Sequence, residues 1–249
     1  MPPWFRCKAK AQFSHMALFA RHELKYYISQ SQYQVLRRLL SNLLWPDEHA
    51  DENNEYCIRS LYFDSVFDDA LRDKIAGAAD RDKYRIRIYN YSDKVIRMEC
   101  KSKIDTYISK RSTSISRALC EQLIAGDPTG LENTDSGLLR DVFREMRLHL
   151  LHPVVVVDYV REAYIHPAEE VRITFDKQLR TGLFQMDMFD PRLPVIPAFA
   201  DCNQIIMEIK YNRVLPSYIS DIMSAAAGFA SRSAISKYTI CRQFEGKEY

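Results

Sequence analysis

With 47% hydrophobic residues, a chain of 249 residues can bury a sizeable core, either as one β-rich domain or as two small ones. A formal charge of +2 excludes the global basicity of a general nucleic-acid binder, so selectivity for anions must come from local clustering. No run approaches the ~18 apolar residues of a membrane span, and the seven glycines form no phosphate-cradling loop. The six cysteines make no Cys-x-x-Cys pair, which fits a reduced, cytoplasmic setting and core packing rather than zinc binding.

The N-terminal residues lack a signal-peptide core, their longest apolar run being Met16 to Ala20. Residues 1–18 are expected to be an extension that need not be ordered, with Met1 or Met16 as the start, and residues 19–249 a single domain. Phe19 to Ile28 reads as the first strand, with Arg21, Glu23, Lys25 and Tyr27 on one face. Ser29 or Ser31 can cap a helix running through Val35, Leu36, Leu39, Leu40 and Leu43 and ending before Pro46. Tyr56 to Asp64 is a second strand carrying Arg59, and Val66 to Ile75 a short helix stopped by Gly77.

The most patterned stretch follows. Asp82 to Tyr89 alternates strictly, with Lys83, Arg85, Arg87 and Tyr89 on one face and Tyr84, Ile86 and Ile88 on the other. A polar turn from Asn90 to Lys94 leads to a strand with Arg97, Glu99, Lys101 and Lys103 opposite Ile96, Met98 and Cys100. A third run, Thr106 to Ile115, adds Lys110 and Arg111, so that ten Lys and Arg stand against four Asp and Glu between Arg81 and Arg111.

Ser116 to Ala125 and Leu138 to Leu151 read as helices around a Gly126 to Gly130 turn, with Pro153 ending the second. Val154 to Tyr164 and Glu170 to Leu179 are partner strands that align Tyr159 with Arg161 and group Arg172, Thr174 and Asp176. After a proline-rich loop from Met186 to Pro197, Gln204 to Tyr211 places Ile206, Glu208 and Lys210 on one face. Pro216 to Phe229 is an amphipathic helix, and Ser231 to Phe244, with Ser236 and Lys237, closes the chain. Strands interleaved with short helices argue for an α+β domain. His149 and His152 are spaced for a metal, although a pair at a helix end before a proline is more often structural.

Each strand thus carries charge on one face and apolar residues on the other. A flat sheet with a solvated charged face satisfies that pattern. So does a closed antiparallel β-barrel whose lumen is ringed by cations, with short helices packed on the outside. The second arrangement needs an anion, because each isolated buried charge costs several kcal/mol. A triphosphate or polyphosphate meets that need through bidentate arginines and point-charge lysines. The minority carboxylates would then hold a divalent cation bridging phosphate oxygens.

The motifs Arg21-x-Glu23-x-Lys25-Tyr26, Tyr84-Arg85-Ile86-Arg87, Glu99-Cys100-Lys101, Ser109-Lys110-Arg111, Tyr159-x-Arg161-x-Ala163-Tyr164, Val171-Arg172-Ile173, Glu208-Ile209-Lys210 and Ser236-Lys237-Tyr238 occur in that order. The series resembles the VTC domain, the polyphosphate polymerase branch of the triphosphate tunnel metalloenzymes. The resemblance implies a tunnel barrel that binds ATP and inorganic polyphosphate with Mn²⁺ or Mg²⁺ and adds the γ-phosphate of ATP to the chain. It also implies catalytic phosphate-binding roles for Lys25, Arg85, Arg87, Lys101, Lys110, Arg161, Arg172 and Lys237. Arg59 (on a looser match), Lys103, Lys210 and Ser236 would bind substrate beside them, and Glu208, with Glu23 and Glu99, would hold the metal. No nucleic acid is expected as a partner; a membrane-protein partner is compatible with the family. Tunnel hydrolases begin Glu-x-Glu-x-Lys, whereas Arg21 stands at the first acid here, which favours polymerisation over triphosphate hydrolysis. A lysine just upstream of Lys237 is missing, Ser233 and Ala234 standing there. A non-catalytic polyphosphate sensor is the remaining alternative.

Overall fold

The computed structural model describes residues 22–105, 107–166, 170–182, 184–227 and 232–246. The expected extension and Arg21 lie outside them. In chain order the elements are β1 (His22–Ile28), α1 (Gln30–Leu40), β2 (Trp45–Pro46), β3 (Glu55–Asp64), α2 (Asp69–Ile75), β4 (Arg81–Tyr89), β5 (Ser92–Ile104) and β6 (Tyr107–Ser114). There follow α3 (Arg117–Ile124), α4 (Gly137–Leu148), β7 (His152–Ile165), β8 (Arg172–Thr181), β9 (Ile196–Pro197), β10 (Ile205–Tyr211), α5 (Ser217–Ala227) and α6 (Lys237–Phe244).

Local chemistry sets most of these boundaries. Ser29 and Gln32 form a reciprocal capping box at the start of α1, satisfying two N–H groups that the first turn leaves open. Ser116, Ser136 and Ser236 cap α3, α4 and α6 by accepting from the third residue inside each helix. The hairpin between β4 and β5 is tighter than the sequence suggests. Asn90 and Tyr91 both sit at positive φ, the geometry of a two-residue turn whose twist matches the strands, and Ser92 already pairs with Tyr89. Pro153 does not end α4. The helix stops at His149, Leu150 turns left-handed at φ 51°, and Pro153 lies within β7.

The strands form one antiparallel sheet in the order β1-β10-β8-β7-β3-β4-β5-β6, with β2 on β7 and β9 on β8. This is the expected antiparallel, tunnel-like α+β architecture, with a difference in closure. Among the described residues no backbone ladder joins β1 to β6. The sheet curls until Lys101 Nζ on β5 reaches Glu23 Oε2 on β1 at 3.0 Å, so side chains span the seam.

Two apolar clusters cover the convex side. Ile86, Ile88, Met98 and Cys100 pack with Leu123 of α3 and Leu139, Val142 and Met146 of α4, each buried aliphatic side chain contributing ~1.5–3 kcal/mol. Tyr26, Met207, Ile209, Ile173 and Phe175 pack with Leu36 and Leu40 of α1 and Ile219 of α5. A third cluster corrects the expectation that all helices lie outside. Ile235, together with Tyr238 and Cys241 of α6, packs against Ile58, Val155, Val157, Tyr159 and Ile206. Those residues belong to the concave face, so α6 fills one end of the hollow, where the floor is apolar.

Candidate active site on the concave face

Pairing register shows which side chains share the hollow. Successive strands contribute Glu23 and Lys25 (β1), Glu208 and Lys210 (β10), Arg172, Thr174 and Asp176 (β8), and Tyr159 and Arg161 (β7). On the other side come Ser60 and Tyr62 (β3), Lys83, Arg85 and Arg87 (β4), Glu99, Lys101 and Lys103 (β5), and Lys110 (β6). Alternation along each strand puts them on one face because side chains of i and i+2 project to the same side. All eight residues expected to bind phosphate face this hollow. Lys237 does so from the first turn of α6 rather than from a strand.

Within it, charge is densely paired but not balanced. Arg161 grips Asp176 with two bonds, Nε to Oδ1 at 2.6 Å and Nη2 to Oδ2 at 2.7 Å, and Lys237 Nζ adds a third contact at 2.6 Å. Burial pushes the Asp176 carboxyl up, but the Arg161 and Lys237 charges outweigh it and hold its pKa at about 2. Glu99, 3% exposed, receives Arg85 Nη2 at 2.6 Å and Lys110 Nζ at 2.5 Å. Burial raises its pKa, and Arg85, Arg87 and Lys110 override that and bring it to about 2. Arg172 Nη2 donates to Asp47 at 2.7 Å and to Tyr56 at 2.9 Å. Altogether eight cations (Lys25, Arg85, Lys101, Lys110, Arg161, Arg172, Lys210 and Lys237) pair with five carboxylates (Glu23, Asp47, Glu99, Asp176 and Glu208).

Arg87 carries the imbalance. It is 8% exposed, yet among the described residues its hydrogen bonds go to hydroxyls, Nε to Ser60 Oγ at 3.2 Å and Nη2 to Tyr159 Oη at 3.4 Å. A buried guanidinium hydrogen-bonded to neutral groups is costly unless an anion joins it. Two buried polar atoms on the same face, Arg172 Nε and Thr174 Oγ1, have no hydrogen-bond partner among the described residues.

The three expected metal ligands separate. Glu208 lies 3.7 Å from Lys25, 3.3 Å from Lys210 and 3.9 Å from Arg161. Burial raises its pKa, but the Lys210, Lys25 and Lys237 charges outweigh that and hold it well below the usual carboxylate range. Glu23 and Glu208 both contact Lys25 Nζ, at 3.0 and 3.7 Å, and two neighbouring oxygen-donor side chains suit a hard divalent cation that takes its remaining ligands from phosphate. Glu99 sits with Arg85 and Lys110 instead, and no group of three His, Cys, Asp or Glu side chains suited to a metal occurs among the described residues. The residues that fit Mn²⁺ or Mg²⁺ are therefore Glu208 and Glu23. His149 pairs with Glu145 at 2.6 Å and His152 with the Leu150 carbonyl at 3.0 Å, both structural contacts.

Arg59 does not join the site. It alternates with Ser60 and so faces the convex side, 1% exposed, with Nε on Asp158 at 2.9 Å and Nη1 on the Met188 and Asp190 carbonyls. It ties the proline-rich loop to β3 and β7. Ser236 caps α6 and accepts from Lys83 Nζ at 3.2 Å. Lys103 lies near the end of β5, opposite Arg81. Sequence reasoning gave no role to Lys83, Asp176 or Asp47. Lys83 and Asp176 already stood in period-2 rows with Arg85 and Arg172, which was the available signal; Asp47 is a loop residue with none.

A search of curated proteins finds no match. Among solved structures, a protein of Bacillus halodurans provisionally named an adenylate cyclase is 12% identical, with TM-score 0.50, over 87% of this chain and 95% of that one. The PH1819 protein of Pyrococcus horikoshii is also 12% identical, with TM-score 0.47, over 90% and 98% of the two chains. At such identity the first likeness supports the fold alone. The VTC domain model matches residues 20–244, nearly the whole chain. The chain therefore belongs to the VTC domain family, within the triphosphate tunnel superfamily.

Proposed function

We propose that this protein is an inorganic polyphosphate polymerase that transfers the γ-phosphate of ATP onto the end of a polyphosphate chain held in the concave face. The observation that carries the proposal is the excess of cations over carboxylates on the concave face, above all the buried Arg87, whose hydrogen bonds among the described residues go to hydroxyls. A row of phosphates supplies the missing anions. Arg85, Arg87, Arg161 and Arg172 present planar donors to phosphate oxygens, and Lys25, Lys101, Lys110 and Lys237 add point charges. The unpartnered Arg172 Nε and Thr174 Oγ1 on the same face support a further polar contact there.

The reaction needs no nucleophilic side chain. An oxygen of the terminal phosphate of the chain attacks the γ-phosphorus, the bond from that phosphorus to the β–γ bridging oxygen breaks, and ADP leaves with the electron pair. Catalysis is then positioning plus neutralisation of charge on the transferring group. Glu208 and Glu23 would hold Mn²⁺ or Mg²⁺, which supplies Lewis-acid neutralisation of phosphate charge. Polymerisation is favoured over hydrolysis because Arg21 stands where hydrolases carry another acid.

The test is incubation of purified protein with ATP and Mn²⁺ while polyphosphate, ADP and free phosphate are followed together. Polyphosphate accumulating with stoichiometric ADP is expected. Free phosphate without polymer would establish a tunnel hydrolase, and tight polyphosphate binding without turnover a sensor.

A further inference from the structure

The cation row on β4 does not end at Arg85. Lys83 and Arg81 continue it on the same face toward the start of the strand, Lys103 faces Arg81 from β5, and Lys74 reaches in from α2. These four, like Arg87 but unlike the other cations of the inner ring, have no carboxylate at ion-pair distance among the described residues. Lys83 Nζ donates to Ser236 Oγ at 3.2 Å, Lys74 Nζ to the Ala234 carbonyl at 3.1 Å, and Arg81 Nη1 to the Ala78 carbonyl at 2.6 Å. Asp64 is the carboxylate nearest in effect to Lys83, but it is occupied by the Tyr238 hydroxyl and the Ser65, Ala70 and Leu71 N–H groups. Burial, then the Lys74 and Arg81 charges, push Lys83 down to about 7; burial, then Arg81, Lys25 and Lys103, lower Lys74 as well. A cavity of about 210 Å³ bounded by Tyr27, Lys74, Ser236, Thr239 and Gln243 opens beside them.

We propose that Lys74, Arg81, Lys83 and Lys103 form a second anion subsite at the rim of the concave face, holding phosphates of a linear chain beyond those gripped by the inner ring. The geometry favours an extended ligand. From Arg87 to Arg81 the row of alternate residues is about 20 Å long at the rise of a strand, further than a nucleotide triphosphate extends. A compact anion would meet one end of it; an oligophosphate meets all of it. This inference rests on the polyphosphate reading of the concave face and adds a direction to it, with the chain passing between α2 and the β4–β5 rim.

The test compares inorganic tripolyphosphate with polyphosphate of several tens of units, by calorimetry on the whole chain. The wild type is expected to bind the long chain more tightly. The double variant Lys74→Glu with Arg81→Glu should weaken long-chain binding by about tenfold or more, with a shallower salt dependence, and change tripolyphosphate binding far less. Lys74→Gln alone, a milder change on the surface of α2, should move the same ratio in the same direction. Loss of both affinities in equal proportion, or of neither, would overturn the subsite while leaving the inner site standing. A wild type that does not prefer long chains would do the same. A wild type that binds neither ligand would overturn the subsite together with the polyphosphate reading.

Discussion

Arg87 is the side chain at which burial and charge conflict most openly. Its burial is offset by two hydroxyl contacts and the charge of nearby Glu99, so Arg87→Met should change the melting temperature little. With ligand the balance shifts. A charge-assisted bond to phosphate is worth about 1.5–3 kcal/mol, so the same variant should weaken tripolyphosphate binding by roughly ten- to a hundredfold in a titration. Lys83 and Lys210 give a second handle, their pKa values lowered to about 7 and about 8, in both cases by burial first. Folding suppresses protonation of these amines, so between about pH 7 and their ordinary value of 10.5 the unfolded chain binds more protons and stability rises with pH. A bound polyanion favours the charged forms. Binding at pH 8 should therefore take up protons, detected as a dependence of the heat on buffer ionisation enthalpy, and Lys83→Met should reduce the uptake.

At the scale of the element, the two faces of β3 show how one alternation separates structure from chemistry. Ser60 and Tyr62 look into the hollow, where Tyr62 accepts from Arg85 Nη1 at 2.8 Å; Arg59 looks out and is locked to Asp158. Asp158 also binds Arg180 and has no exposed surface. Asp158→Ala would strand both arginines and is expected to cost about 3–5 kcal/mol in chemical denaturation. The folded fraction should still bind tripolyphosphate with nearly wild-type affinity, because none of these three groups faces the ligand. Helix α6 behaves differently. It supplies Lys237 from its first turn and plugs the hollow with Tyr238 and Cys241, so its apolar face is part of the wall of the hollow.

Across the whole molecule, carboxylates hold the cation ring together in the absence of ligand. Glu99 and Asp176, both held at about 2 by surrounding cations, contribute stability that is fully present above the ordinary carboxylate range and is lost as the pH falls toward 2. Acid unfolding monitored by circular dichroism should therefore steepen below pH 4, and Asp176→Asn should destabilise the protein at pH 7 while narrowing that acid dependence. Glu208→Gln tests a different property. It should abolish the enhancement of polyphosphate binding by Mn²⁺ while leaving metal-free binding equal or stronger, since a negative charge facing phosphate is removed.

The strands, their alternation and most of the side chains that face the hollow were legible in the chain because period-2 patterning and local caps act over a few residues. Lys83 was legible in the same way and lacked only a reason to be chosen, because periodicity reports a face and not its charge balance. What the sequence by itself determined is an α+β chain of half-apolar strands whose charged faces are rich in Lys and Arg. Tertiary structure alone decided that Arg59 turns outward, that Glu99 pairs with Arg85 and Lys110, that Asp47 pairs with Arg172, and that α6 enters the hollow. It also decided that, among the described residues, four rim cations have no carboxylate at ion-pair distance. Those outcomes depend on which distant strands become neighbours when the sheet curls, and ion pairing at 3 Å is set by that closure rather than by spacing along the chain.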